Sequence, residues 1–131
     1  MTDQNDAEEQ AVYAVRLAES AVRQAEAALE RIIETEGLNA AEDWQTGLQA
    51  ARASLGTLPE RCTVAAENAL FQKKHSGPPL RVLLYGRGRN IWRLLFTAHA
   101  ATDKDAPRVQ IHQMRHSAQK PLTRWPTENG S

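Results

Sequence analysis

Four arginines with no acidic residue among them lie in one apolar stretch, residues 81–97, which reads RVLLYGRGRNIWRLLFT. A guanidinium stays charged at physiological pH, and its paired N–H donors match the oxygens of a phosphate or a carboxylate. The ring of a Tyr in the same stretch can stack on a base. The stretch therefore predicts an anion-binding surface. Its candidate side chains for binding an anionic target are Arg81, Tyr85, Arg87, Arg89 and Arg93.

The segment VQIHQMRH, residues 109–116, adds groups that could move protons. Imidazole titrates near neutrality, so His112 and His116 are candidate acids or bases. For both, a surface histidine that only makes hydrogen bonds is an equally good interpretation. One Cys and scattered His do not form a zinc set, and GRGRN lacks the GK[ST] ending of a phosphate-binding loop. No metal or other cofactor is expected.

The two halves of the chain carry opposite charge, although the whole is neutral. Residues 1–70 hold 13 acidic and 5 basic side chains, a net charge of −8. Residues 71–131 hold 3 acidic and 11 basic ones, a net charge of +8. Such a split predicts either two surfaces that attract each other within the fold or a C-terminal half that binds an anionic partner. The lone Cys62 and the acidic N-terminus, which has no apolar signal region, favour a cytoplasmic protein.

Hydrophobic periodicity predicts the elements that must position these side chains. A short strand is expected near residues 12–17, and apolar residues then recur at helical spacing in two segments that Gly37 separates. Asn39 is the expected N-cap of the second helix. Three strands follow a connecting segment, residues 59–79. The order is βααβββ, an α+β fold with a helical hairpin on a small, largely antiparallel sheet, covering residues 12–122 between flexible tails at 1–11 and 123–131. The inward positions of the two helices are Val22, Ala25, Leu29, Ile32, Ala41, Trp44, Leu48, Ala51 and Leu55.

The register of the first hairpin follows from its loop. With Gly86–Asn90 as a five-residue loop, Tyr85 lies opposite Ile91. Arg81, Tyr85 and Arg93 then converge on an open face of the sheet. The apolar face, expected under the helices, would carry Leu80, Val82, Leu84, Trp92, Leu94 and Phe96.

The last strand is harder to orient. With Val109 and Ile111 directed inward, Gln110, His112 and His116 lie on the open face. Arg115 then falls on the core side, unless the strand end or a β-bulge brings it out.

Three segments resemble the RelE/ParE superfamily of toxins from type II toxin–antitoxin modules. LGTLPERC (residues 55–62), followed by Glu67, resembles the family's L…PERCPLAPE connector. LLYGRGRNIWRLLFT resembles its LLYG…YRILF hairpin, and VQIHQMRH its VLHVRHGARxP final strand, with Pro121 close behind.

The resemblance implies that the free toxin arrests growth. It also implies a cognate antitoxin, encoded by a neighbouring gene, that wraps around the toxin. RelE-like members cut mRNA on the ribosome, and ParE-like members inhibit DNA gyrase. By position, Arg93 and Arg115 match the hairpin and final-strand arginines of RelE-like nucleases. Two features depart from that pattern: Ser117-Ala118-Gln119 replaces the usual Gly-Ala-Arg, and no Tyr follows Tyr85.

Three functions remain open from the sequence. In a metal-independent mRNA interferase, Arg93, Arg81 and Arg115 would stabilise charge on the phosphorane while His116 or His112 moves the proton. In a gyrase inhibitor, the same arginines would bind an acidic protein surface and catalyse nothing. In an inactive toxin-like module, the surface would serve only an antitoxin or RNA.

Overall fold

The computed structural model describes residues 12–126; the predicted N-terminal tail, 1–11, and residues 127–131 lie outside this range. Within it the chain is α+β, with the helices between the first strand and the other three strands of a four-stranded, mostly antiparallel sheet of strand order β1-β4-β3-β2. Only the pairing of β1 with β4 is parallel. The elements are β1 (Ala14–Leu17), α1 (Glu19–Glu36), α2 (Leu38–Ser54), a 3₁₀ turn (Pro59–Arg61), α3 (Asn68–Gln72), β2 (Arg81–Arg87), β3 (Asn90–His99) and β4 (Arg108–His116).

The helical hairpin, α1 and α2, turns at a single residue. Gly37 has φ of 96°, a left-handed value that favours glycine, and its N–H donates to the carbonyls of Ile32 and Ile33. The predicted stop is confirmed, but Asn39 lies inside α2 and is not its N-cap. The inward face of α1 is also shifted by one position: Ala21 is buried, whereas Val22 is 40% exposed.

The helical hairpin covers one face of the sheet and forms the larger core with it. Leu48 and Leu55 from the α2 side pack there with Leu94 and Phe96 of β3. Val109 and Ile111 of β4 complete the centre and are fully buried. We refer to this side of the sheet as the helix face.

The opposite face of the sheet is partly covered, which corrects the prediction of an open face. Phe71 of α3 and Trp125 pack with Leu80 and Leu95 into a second apolar cluster. The rings of Phe71 and Trp125 meet edge to face, with their centroids 5.1 Å apart. The connector, residues 59–79, therefore contains a short helix that its lack of periodicity concealed. Trp125 is 2% exposed although it belongs to the predicted tail, so the packed part of the chain extends past residue 122. We call this side the connector face.

The β2–β3 hairpin has a tighter turn than predicted, and this reverses the faces of β2. Arg87 pairs with Asn90 around the two-residue loop Gly88-Arg89, and Tyr85 lies opposite Trp92. Gly88 has φ of 57° at the first loop position, as the type II′ turn requires. Directly paired side chains share a face. Leu83 and Tyr85 therefore lie on the helix face, and Val82 and Leu84 lie on the connector face, opposite to the predicted arrangement.

A β-bulge in β4 changes the alternation of its last residues. Leu95 pairs with Gln113 and the next residue, Phe96, pairs with Ile111, so His112 is the extra residue. Beyond the bulge, Arg115 lies opposite Arg93, and His116 lies opposite Trp92. Simple alternation predicted His116 on the open face and Arg115 on the core side, with a β-bulge as one way to bring Arg115 out. The structure contains that bulge, so Arg115 lies on the connector face and His116 on the helix face.

No helix in the described part of the chain is long and apolar enough to cross a membrane.

The hairpin turn makes a test of its register. Gly86 has φ of 125°, and a Cβ there would overlap the backbone carbonyl of Asn90, whereas a Cβ at Gly88 would meet open space. We expect Gly86→Ala to lower the free energy of unfolding by about 3 kcal/mol, because strain and overlap add. Gly88→Ala should cost only about 1 kcal/mol, the usual penalty for a left-handed Ala. Urea unfolding of both variants measures the difference, and equal costs would contradict the observed turn.

Candidate functional site

Arg93 is the central cation of the connector face, and it is already paired. Its guanidinium donates to both carboxylate oxygens of Glu67: Nη2 lies 2.8 Å from Oε1, and Nη1 donates to Oε2. The Glu67 side chain is 8% exposed and that of Arg93 is 23% exposed. A bidentate pair with so little water around it holds both side chains in one orientation.

The electrostatics of the pair follow from that geometry. The hydrogen bonds from Arg93 hold the pKa of the Glu67 carboxyl below its ordinary value of 4.5, although burial acts in the opposite direction. The same bonds raise the pKa of Arg93. Both groups therefore stay charged at neutral pH, and each satisfies the other.

Arg115 is the second cation at this position. It is the cross-strand neighbour of Arg93, and its charge also lowers the pKa of Glu67. One of its N–H groups donates to the carbonyl of Lys120 at 2.6 Å, which leaves further donors on the guanidinium. The charges of two arginines thus act on one carboxylate, which only Arg93 contacts by hydrogen bonds, and the three groups together carry a net charge of +1. We call Arg93, Arg115 and Glu67 the arginine site.

His112 lies on the same face but belongs to a separate group. Its Nε2 is 2.9 Å from the Thr97 hydroxyl, which in turn is 2.8 Å from Nε2 of His99. Burial, with the charge of Arg108 and a contribution from His112, lowers the pKa of His99 below 6.5. The His112 ring also packs 5.1 Å from that of Phe71. Three residues along a strand separate His112 from Arg115, roughly 10 Å.

His116 lies on the other side of the sheet. Its ring meets that of Trp92 edge to face at 5.1 Å, and its Nδ1 accepts the N–H of Ala118. These residues line one end of a cleft of about 800 Å³ that is bounded by the helical hairpin, with Trp44 and Met114 in its wall. His116 therefore cannot act on a group held by Arg93 or Arg115.

Tyr85 and Arg81, both predicted to bind a target, hold the fold together instead. The Tyr85 hydroxyl donates to the carbonyl of Trp44 at 2.7 Å, and Gly47 leaves the space for its ring. Arg81 donates to the carbonyl of Cys62 at 2.7 Å and of Glu60 at 3.3 Å. Burial raises the pKa of the Cys62 thiol despite the neighbouring Arg61 and Arg81, so the thiol is protonated at neutral pH.

Arg87 and Arg89 are exposed at the tip of the β2–β3 hairpin, where the sequence placed them. Of the eight predicted site residues, the structure brings Arg93 and Arg115 together, with His112 farther along the same face. Glu67 and Thr97 are the polar partners that sequence reasoning missed. The signal for Glu67 was its place in the PERC-type segment; Thr97 looked like an ordinary strand residue. Among residues 12–126, no cluster of His, Cys, Asp and Glu is arranged to hold a metal ion.

The chain was compared with known proteins in three ways. No protein-family model, no curated protein and no solved structure matched it. The RelE/ParE resemblance therefore stays a prediction from the three segments that carry it.

The Arg93–Glu67 pair makes a strong prediction for stability. Arg93→Ala would leave the buried Glu67 carboxylate without its partner, and we expect a loss approaching the roughly 3–5 kcal/mol typical of breaking a buried pair. The control is Arg23→Ala, which breaks the exposed Glu19–Arg23 pair on α1. That change should cost under about 1 kcal/mol. Equal losses in urea unfolding would show that burial of the Glu67 pair contributes nothing.

Acid should destabilise the protein in two stages. A folded-state pKa below the unfolded value means that the unfolded chain binds more protons, so stability falls as the pH falls. His99 should produce the first decrease below about pH 6.5, and Glu67 the second below about pH 4.5. His99→Gln should remove the first stage and Glu67→Gln the second. Unfolding free energies measured across this range test both, and a flat profile in the parent protein would contradict both shifts.

Proposed function

We propose that this chain is the toxin of a type II toxin–antitoxin module of the RelE/ParE kind. On this proposal it acts in the cytoplasm and arrests growth by binding a protein target, for which DNA gyrase is the candidate. The three segment resemblances support the family. The α+β order of elements and the exposed arginines at the hairpin tip are compatible with it. A cognate antitoxin from a neighbouring gene would hold the toxin inactive.

One observation favours binding over RNA cleavage: the groups that a nuclease would need do not converge. General acid–base catalysis requires the acid or base within hydrogen-bond reach of the reacting atoms. His116 is on the helix face, whereas Arg93 and Arg115 are on the connector face. Arg93 is moreover neutralised by Glu67. A binding surface needs no such convergence.

Cleavage of mRNA on the ribosome is the second candidate, and one observation favours it. Arg93, Arg115 and His112 share a face, so charge stabilisation and proton transfer could in principle be divided between them. This version would require His112 to leave Thr97 and approach the arginine site. An inactive module that only binds its antitoxin or RNA is the third possibility, and the same experiment separates all three.

The test is expression of the chain alone, followed by two assays on the purified protein. We expect growth arrest, inhibition of gyrase supercoiling, and no cleavage of ribosome-bound mRNA. Arg87→Gln and Arg89→Gln should weaken inhibition, because they remove exposed cations that steer and hold an acidic target. Arg23→Gln, on the helical hairpin, is the charge-matched control. His116→Gln should leave growth arrest unchanged.

Other results would point elsewhere. Cleavage by the parent protein that disappears in His112→Gln would establish the nuclease and overturn the binding proposal. Absence of any growth effect, together with tight binding of the neighbouring gene product, would leave the inactive module.

A further inference from the structure

The arginine site has the form of a bound complex in which Glu67 is the ligand. Both oxygens of one carboxylate accept N–H groups from Arg93, and Arg115 lies across the strand pair from it. The carboxylate comes from the connector and not from the sheet that carries the arginines. A site of this kind binds an oxyanion wherever the oxyanion originates.

Exchange of one carboxylate for another costs little at this position. Removal of Glu67 alone would leave Arg93 partly buried with its charge uncompensated, which is unfavourable. If another carboxylate enters as Glu67 leaves, the charge and the two hydrogen bonds of Arg93 are both retained. The ligand that fits is therefore an anion with two coplanar oxygens.

The surroundings of the site favour a protein ligand over RNA. Leu84 is the cross-strand neighbour of Arg93 on β2 and is 62% exposed, so an apolar contact is available directly beside the cations. Proteins that bind single-stranded RNA use exposed aromatic rings, on which the bases stack. Phe71 and Trp125, the large aromatic rings that cover this face, are 3% and 2% exposed. β2 is also the last strand of the sheet. Its first residues, Arg81 and Val82, already pair with Thr63 and Val64 of the connector, so an extended peptide can approach only the remainder of its outer edge, which includes Leu84.

We propose that Glu67 is an internal competitor: an acidic side chain of a protein partner binds Arg93 and Arg115 by replacing it, with an apolar neighbour of that side chain packed on Leu84. The free chain therefore occupies its own carboxylate site. This inference rests on the proposed function, in that it gives the chemistry of the protein target.

The sharpest test changes the competitor without changing the net charge. Glu67→Asp shortens the side chain by one methylene and weakens its reach to Arg93, so the site should be open in a larger fraction of molecules. We expect it to bind a fluorescent peptide of alternating Glu and Leu at least about fivefold more tightly than the parent protein does, by fluorescence anisotropy. Glu60→Asp, an exposed residue of the same connector, is the matched control and should change nothing.

Two further variants assign the gain to the site. Arg115→Gln added to Glu67→Asp should abolish the gain, and so should Leu84→Ser. A gain that survives both, or one that Glu60→Asp shares, would overturn the proposal. If Glu67→Asp does not fold, Glu67→Gln keeps the shape of the side chain and is compared with Glu60→Gln, which makes the same change of charge.

An RNA probe distinguishes the source of the oxyanion. A labelled oligouridylate should bind the parent protein and Glu67→Asp about equally. If Glu67→Asp gains as much affinity for this RNA as for the peptide, or more, the choice of a protein ligand is overturned. Growth arrest is scored separately. Arrest without a binding gain refutes only the competitor role of Glu67, and a binding gain without arrest refutes only the toxin proposal.

Discussion

The charge of Arg93 has to be accommodated within a sheet against which other parts of the chain pack on both faces. The helical hairpin covers one face, and the connector with Trp125 covers the other. The Arg93 side chain is only 23% exposed under this packing, and burying most of a cation unpaired would be costly. Glu67 satisfies it with two hydrogen bonds. The position of the connector is thereby tied to the sheet, because the same short segment that places Phe71 in the second core also places Glu67 on Arg93.

The sequence predicted the elements better than it predicted their faces. The α+β class, the helical hairpin and the three C-terminal strands were evident from periodicity and from Gly37. For β3 the predicted faces were also right, because Arg93 interrupts an otherwise apolar run. For β2 they were reversed. Val82, Leu83 and Leu84 are all apolar, so alternation could not choose between the faces, and the choice depended on loop length alone. A two-residue and a five-residue loop are both compatible with GRGRN. The two registers differ by one residue, so they direct each side chain of β2 to opposite faces of the sheet.

Other features depend on contacts that no local pattern encodes. The bulge at His112 reverses Arg115 and His116 relative to simple alternation, and nothing in VQIHQMRH requires it. The short helix α3 and the buried Trp125 find their places through the second core and not through periodicity. The absence of acids among the arginines was the observation that predicted an open anion-binding face. The segment itself indeed contains no acidic residue, but the fold brings one to it from elsewhere in the chain, because Glu67 of the connector pairs with Arg93.

The arginines of the chain thus fall into two kinds, which differ in what they contribute to recognition. Arg87 and Arg89 at the hairpin tip are exposed, so their charge extends into solvent and falls off over about 8 Å at physiological ionic strength. They are suited to attracting an acidic surface but select weakly among such surfaces. Arg93 is held in a fixed orientation by Glu67 and is only partly exposed, so it attracts little from a distance but demands a specific geometry of whatever replaces Glu67. A partner that uses both kinds would associate fast because the hairpin tip attracts it, and would be selected by the arginine site. Glu67 already neutralises Arg93 in the free chain, so a ligand can replace Glu67 without a loss only if it makes the same two hydrogen bonds to Arg93.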